Sequence, residues 1–207
     1  MKPWYLATLS ALCATWAFAA DPSFDCAKAQ SDAETAVCSS DELAELDVEV
    51  TRLYQLAVAD VSGARLNELK AMQRGWIKGR DECWKSSLGL DTCVANEYAF
   101  RIMDLRTGYA NARSDDAAGV SIGPKVLACG GFDAAVGVVF INSSAPMAVM
   151  KWRDMAVALP SVPTGSGAKY ESEAFLGGAS SLFTKGDEAL FMPPGGAELS
   201  CRIEEVG

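Results

Sequence analysis

Six cysteines placed downstream of an apolar leader constrain this chain more than any other feature. Cys13 lies inside the leader, and Cys26, Cys38, Cys83, Cys93, Cys129 and Cys201 follow it. Residues 1–19 carry one charge, Lys2, ahead of an apolar run that ends on Ala17-Phe18-Ala19. This is the pattern of a secretory signal peptide cleaved after Ala19. The run is short for a spanning helix, which needs about 20 residues, and no second long apolar run follows. The processed chain is therefore expected to be periplasmic or secreted, with no integral membrane segment. Leu12 before Cys13 argues against a lipid-modified precursor, in which a small residue would precede the cysteine.

An even number of cysteines in an exported chain reads as a disulfide framework. Six cysteines allow fifteen pairings, and the sequence alone does not choose among them. Spacing favours Cys83 with Cys93 across the turn-rich Ser86-Ser87-Leu88-Gly89, and Cys129 with Cys201 around the C-terminal segment. Cys26 then falls to Cys38.

The chain has no histidine among 207 residues. That excludes Ser-His-Asp and Cys-His catalytic sets and leaves a zinc site only cysteine and carboxylate ligands; no metal, cofactor or catalytic residue is assigned. With 18 basic against 27 acidic side chains the net charge is −9, and loss of Lys2 with the leader makes it −10. A nucleic-acid binder needs a basic face that releases counterions, so a cationic partner is the better expectation.

Two halves differ in periodicity. From Asp41 to Ala59, Leu43, Leu46, Val50, Leu53 and Ala57 step by three or four along one helical stripe, with Ser39 and Glu42 as a capping box. A second helix is expected from Ala64 to Trp84, with Leu66, Leu69, Gln73, Trp76, Ile77 and Arg80 on one side. A third runs from about Val94 to Ala110, with Val94, Tyr98, Ile102, Leu105 and Tyr109 inward. After residue 113 comes a polar linker, 114–125. Short β-rich runs follow at Val136–Ile141, Met147–Lys151, Met155–Leu159, Ala174–Leu176, Ala189–Met192 and Glu198–Ile203. The expectation is an α+β chain: a disulfide-stapled three-helix domain over 20–113, then a small antiparallel β-barrel or sandwich over 126–207.

Two C-terminal loops stand out, Thr164-Gly165-Ser166-Gly167-Ala168-Lys169-Tyr170 and Phe183-Thr184-Lys185-Gly186-Asp187-Glu188-Ala189. Spacing alone reads them as ordinary turns between strands, and neither matches a phosphate-cradling P-loop.

At these residues the chain resembles the bacterial C-type lysozyme inhibitors, the MliC and PliC family, whose signature is SGxxY followed after a spacer by KG. Ser166, Gly167, Tyr170, Lys185 and Gly186 supply it, and the resemblance spans roughly residues 126–205. The chain departs from the pattern in having Leu127 where an aromatic residue usually precedes the first cysteine, and in a longer stretch between Tyr170 and Lys185. The helical half resembles the LprI-type domain through Phe24-Asp25-Cys26, Val37-Cys38, Gln73-Arg74-Gly75-Trp76, Arg80-Asp81-Glu82-Cys83, Cys93 and Tyr98. In that family the same domain precedes an MliC-like one.

The resemblance implies a non-enzymatic inhibitor whose partner is a basic C-type lysozyme. Ser166 would enter the sugar cleft and hydrogen-bond both catalytic carboxyl groups, and Gly167 would permit close backbone approach. Tyr170 would support the loop or pack on the cleft rim, Lys185 would offer an ammonium to cleft acids, and Thr184 and Gly186 would complete the second loop. The alternative is an envelope adaptor whose helical domain binds protein or peptidoglycan through Trp76, Trp84 and Tyr98, residues that at helical spacing more often form core. A glycan-cleaving enzyme is a third reading, for which no carboxylate pair identifies itself by spacing.

Overall fold

The residue that caps a helix must itself stand outside it, and this decides how the N-terminal half is divided. In a computed structural model that describes residues 20–113, 118–173 and 178–206, Ser39 is the last residue of a helix, α1 (Asp32–Ser39). Its hydroxyl donates back to the Thr35 and Ala36 carbonyls at 3.0 and 3.1 Å. The extended residue is Ser40, which caps α2 (Asp41–Asp60) by accepting from the Leu43 N–H at 3.3 Å. The Ser39–Glu42 capping box is thus not formed. The reciprocal box lies one element earlier, where Ser31 accepts from the Glu34 N–H at 3.1 Å and Glu34 accepts from the Ser31 N–H at 3.4 Å.

The stripe expected on α2 is buried as anticipated: Leu43, Leu46, Val50, Leu53 and Ala57 are at most 2% exposed. α3 (Gly63–Asp81) and α4 (Leu90–Gly108) complete a set of four helices rather than three. Of the six residues expected inward on α3, Leu69 and Arg80 are buried and Ile77 is exposed. This helix packs by one edge on α1 and α4. Arg80 donates to the Tyr98 hydroxyl at 2.9 Å, Tyr98 donates to Asp47 at 2.8 Å, and Arg80 pairs with Asp81 at 2.8 Å. Trp76 stacks edge-on against Tyr98 with ring centres 5.2 Å apart and donates to the Glu97 carbonyl at 3.0 Å. Burial, then the neighbouring Asp47 charge, push the Tyr98 phenol well above its ordinary range. Of the three aromatics considered for a surface, Tyr98 is core, Trp76 is partly covered and Trp84 is 59% exposed. Disulfides Cys26–Cys38 and Cys83–Cys93 pin a short helical turn to α1 and the end of α3 to α4.

The C-terminal half is a closed antiparallel barrel of eight consecutive strands: β1 (Ser121–Cys129), β2 (Val136–Ile141), β3 (Met147–Trp152), β4 (Met155–Val162), β5 (Ala168–Ser172), β6 (Ser180–Lys185), β7 (Glu188–Met192) and β8 (Leu199–Glu205). β1 begins within the stretch expected as linker, so residues 121–125 are strand; the expected strand at 174–176 and the leader lie outside the described residues. β1 pairs with β8, and Cys129–Cys201 joins residues directly opposite each other across that closing seam.

Side chains alternate in and out along each strand. Leu127, Val138, Met150, Leu159, Leu182 and Phe191 point inward and form the barrel core. Helices occupy part of the outer surface. Val139, Ile141, Met147, Val149 and Ala158 face out of the barrel into the same apolar cluster as Leu46, Leu53 and Ile102 of the helices. β3 is therefore buried on both faces, and so its sequence is a near-continuous apolar run, Met147-Ala148-Val149-Met150.

A buried polar knot ties the halves together. Arg106 of α4, with no exposed surface, donates to the Ser121 hydroxyl at 2.7 Å, to the Ser121 carbonyl and to the Gly123 carbonyl at 2.9 Å. Ser121 also donates to Glu49, which takes two 2.9 Å bonds from Arg52. Burial raises the Glu49 carboxyl, but the bonds from Arg52 and Ser121 and the charges of Arg52 and Arg106 outweigh it and hold its pKa below the ordinary value.

Candidate functional site

Strand order brings the two signature segments together. In an up-and-down barrel, alternate connections share one end, so the β4–β5 connection (163–167) and the β6–β7 connection (186–187) lie on the same rim. Both expected loops contain strand: Ala168-Lys169-Tyr170 opens β5, and Phe183-Thr184-Lys185 closes β6. These pair directly, Ala168 with Thr184, Lys169 with Phe183 and Tyr170 with Leu182. One-sided polar strands of this kind carry little hydrophobic alternation, so spacing read them as turns.

Gly167 is where the two segments touch. It has φ +69°, and a methyl group built on it would lie 2.3 Å from the Thr184 carbonyl oxygen and 3.1 Å from the Phe183 ring. Glycine is required both by conformation and by proximity. Gly186 has φ +61° in the first of the two positions joining β6 to β7, the place where a type II′ hairpin turn demands glycine. A methyl group there would meet nothing within 4 Å.

Ser166 is exposed at the tip, and among the described residues its hydroxyl has no partner; its carbonyl accepts from Thr164 at 3.3 Å. Lys185 is exposed and makes no ion pair among the described residues, whereas Lys169 is engaged with Glu171 at 2.6 Å. Thr184 contributes its backbone, through the ladder to Ala168 and the carbonyl beside Gly167. Tyr170 is 6% exposed, lies against Phe140 with ring centres 5.9 Å apart and belongs to the barrel core. Burial raises its phenol pKa.

At this end of the barrel a hollow of about 490 Å³ is lined by Phe140, Tyr170, Lys125, Asn142, Asp187 and Glu205 among others. Lys125 and Glu205 are ion-paired there. Sequence reasoning did not find Phe140, Lys125, Asn142 and Glu205, which come from parts of the chain far from the signature and carry no shared motif. Among the described residues, no group of three or more cysteine or acidic side chains is arranged to hold a metal ion.

Comparison with known proteins matches residues 26–115 to a family described as lysozyme inhibitor LprI, and residues 128–200 to the membrane-bound lysozyme inhibitors of c-type lysozyme, MliC. Proteins called lipoprotein LprI, from Mycobacterium bovis and from two strains of Mycobacterium tuberculosis, are 31% identical over 154 residues. The alignment covers 73% of this chain and 72% of each relative. The chain belongs to the LprI family. The LprI match covers the four helices and their two disulfides, and the MliC match begins and ends beside the Cys129–Cys201 seam. No solved structure matches the chain significantly. Among the described residues, no helix is long and apolar enough to cross a membrane.

Proposed function

We propose that this chain is an exported inhibitor of C-type lysozyme, acting in the periplasm or outside the cell, and that it binds by inserting the Ser166 loop into the enzyme's sugar cleft. One observation carries the reading: β5 and β6 hold the two signature segments edge to edge, with the Ser166 hydroxyl and Lys185, both without a partner among the described residues, exposed on one rim. The leader is removed as a signal peptide, and the helical and barrel segments act together.

The cleft of such an enzyme holds a protonated carboxylic acid and an ionised carboxylate on either side of the scissile bond. A hydroxyl suits both, because it donates to the carboxylate and accepts from the acid. It offers no glycosidic bond, so it occupies the cleft without being cleaved. Lys185 adds a charge-assisted contact to acidic groups nearby, and rim-exposed Asp187 and Glu188 meet basic side chains of the partner. The processed chain's net charge of −10, once Lys2 leaves with the leader, accelerates encounter with a basic enzyme and makes association salt-sensitive.

The test is titration of residues 20–207 into a C-type lysozyme assay at low and high salt, beside Ser166→Ala. Inhibition that weakens by about 1–3 kcal/mol in the variant, the scale for a hydrogen bond to a charged or buried group, supports the reading. A Ser166→Ala protein as potent as the parent refutes the loop assignment.

A further inference from the structure

Charge is not spread evenly over this acidic chain. Residues 63–85, which make α3 and the turn after it, hold six of the 18 basic side chains and only three of the 27 acidic ones. Arg80 is buried in the Tyr98 network, Arg65 is held by the Gly108 carbonyl and the Tyr109 ring, and Lys85 is ion-paired with Glu82. Lys70, Arg74 and Lys78 remain, all exposed and, among the described residues, without a hydrogen bond or ion pair.

These three stand four residues apart, so at 100° per residue they form one row on the face opposite buried Leu69 and Arg80. Ile77, 36% exposed, borders the row, lying within about 60° of both Lys70 and Arg74 around the helix. Trp84, 59% exposed with the Lys85 ammonium 4.9 Å from its ring, lies just past the helix end. α4 packs against both α3 and the barrel strands, so it stands between α3 and the barrel.

A row of unpaired cations flanked by exposed apolar and aromatic side chains is complementary to a surface that is anionic outside and apolar just beneath. We propose that the outer face of α3 docks on an anionic phospholipid bilayer, with Lys70, Arg74 and Lys78 against the headgroups and Ile77 and Trp84 entering the interface. The acidity of the remaining chain does not prevent this, because surface charge is screened within about 8 Å at physiological salt. An anionic wall glycan shares the charge but gives the exposed apolar side chains nothing to enter, so the bilayer is the better fit. The docked orientation leaves the barrel free to meet a soluble partner.

Residues 20–207 are sedimented with vesicles of phosphatidylglycerol and phosphatidylcholine, with vesicles of phosphatidylcholine alone, and with isolated wall glycan. Binding to the anionic vesicles alone, abolished by 0.5 M salt, is expected. The triple change Lys70→Gln, Arg74→Gln and Lys78→Gln, which keeps good helix formers on an exposed face, should weaken it about a hundredfold. Lys70→Arg with Lys78→Arg should retain it, and Trp84→Ala should weaken it without altering the salt dependence. No binding to anionic vesicles, equal binding by the triple variant, or sedimentation with wall glycan instead of vesicles would each overturn the proposal.

Discussion

Gly167 and Gly186 form a matched pair through which the contact between the two loops can be weighed. Both have positive φ, +69° and +61°, so alanine at either adopts a left-handed conformation costing about 1–2 kcal/mol. Reduced freedom of the unfolded chain offsets about 0.4–1 kcal/mol of that. At Gly186 nothing else is disturbed, because a methyl group has no neighbour within 4 Å. At Gly167 the same methyl sits 2.3 Å from the Thr184 carbonyl oxygen, so the loop must retreat about 0.7 Å to reach even a 3.0 Å contact. Overpacking of this kind adds about 1–3 kcal/mol. For a chain of this size about 1 kcal/mol corresponds to roughly 2–4 °C in melting temperature. Gly186→Ala should therefore melt a few degrees low and inhibit lysozyme within about threefold of the parent, whereas Gly167→Ala should melt about 5–10 °C low. Because that retreat carries Ser166 away from its seat, Gly167→Ala should also lose at least about tenfold in potency. Asparagine, which tolerates the left-handed region, should rescue position 186 and fail at 167. Equal losses at the two positions, in melting and in inhibition, would refute the claim that close approach to β6 sets the loop.

Other consequences can be measured separately. Lys185→Ala should weaken inhibition by under about 1 kcal/mol if the ammonium stays solvated in the complex and by about 1.5–3 kcal/mol if it is desolvated; no change at low salt would remove it from the interface. Arg106→Met leaves Glu49 with Arg52 and the Ser121 hydroxyl as partners but removes the donor to the Ser121 hydroxyl and carbonyl and to the Gly123 carbonyl, so denaturant unfolding should show a loss of about 3 kcal/mol. Glu49 has a lowered pKa, so its contribution is complete above the ordinary carboxylate value and is lost as pH falls through the folded value, below 4.5. Glu42 and Glu97 are raised by burial, Glu42 also by Asp91 and Glu45, and protonating them stabilises the fold as pH falls toward that range. Stability by urea titration should thus peak on the acidic side of neutrality and fall steeply below about pH 4.5; a peak above pH 7 would contradict these signs. Replacing Cys129 and Cys201 by serine opens a loop with a sequence separation of 72 and should cost about 4 kcal/mol in the chain-entropy account.

What was legible in the sequence follows from how many sides of each element are buried. α2 buries one stripe, and its period announced Leu43, Leu46, Val50, Leu53 and Ala57. α3 buries little beyond Leu69 and the polar Arg80 network, so a stripe counted from apolar positions misplaced Ile77. β2, β3 and β4 stood out because both their faces are covered, by the barrel core and by the helices. β5 and β6 expose one face and carry serine, threonine, lysine and glutamate there, which reads as turn. The signature residues were legible as a motif, but their adjacency was not, because it depends on a β5–β6 ladder that spacing had dissolved into loops. The Arg106–Ser121–Glu49 knot joins residues 72 positions apart with no local signal at any of them.

The shared core also bears on whether the inhibitory barrel can exist without its helices. Val139, Ile141, Met147 and Val149 point out of the barrel and are at most 4% exposed because the helices cover them. Each gains about 1.5–3 kcal/mol from that burial, and together they would form a contiguous apolar patch on a barrel expressed alone. Ser121 would lose Arg106 and Glu49 at the start of the first strand, beside its pairing with β2. A fragment of residues 118–207 should therefore self-associate or bind a hydrophobic dye and melt well below the whole chain, even with its disulfide formed. Replacing the four outward side chains by threonine and serine should return it to a monomer while leaving the Ser166 rim intact, since that rim is built by β4 to β7 at the barrel's end. A parent fragment that stays monomeric and melts with the full chain would show the helices to be an appendage, and the buried seam to contribute nothing to the site.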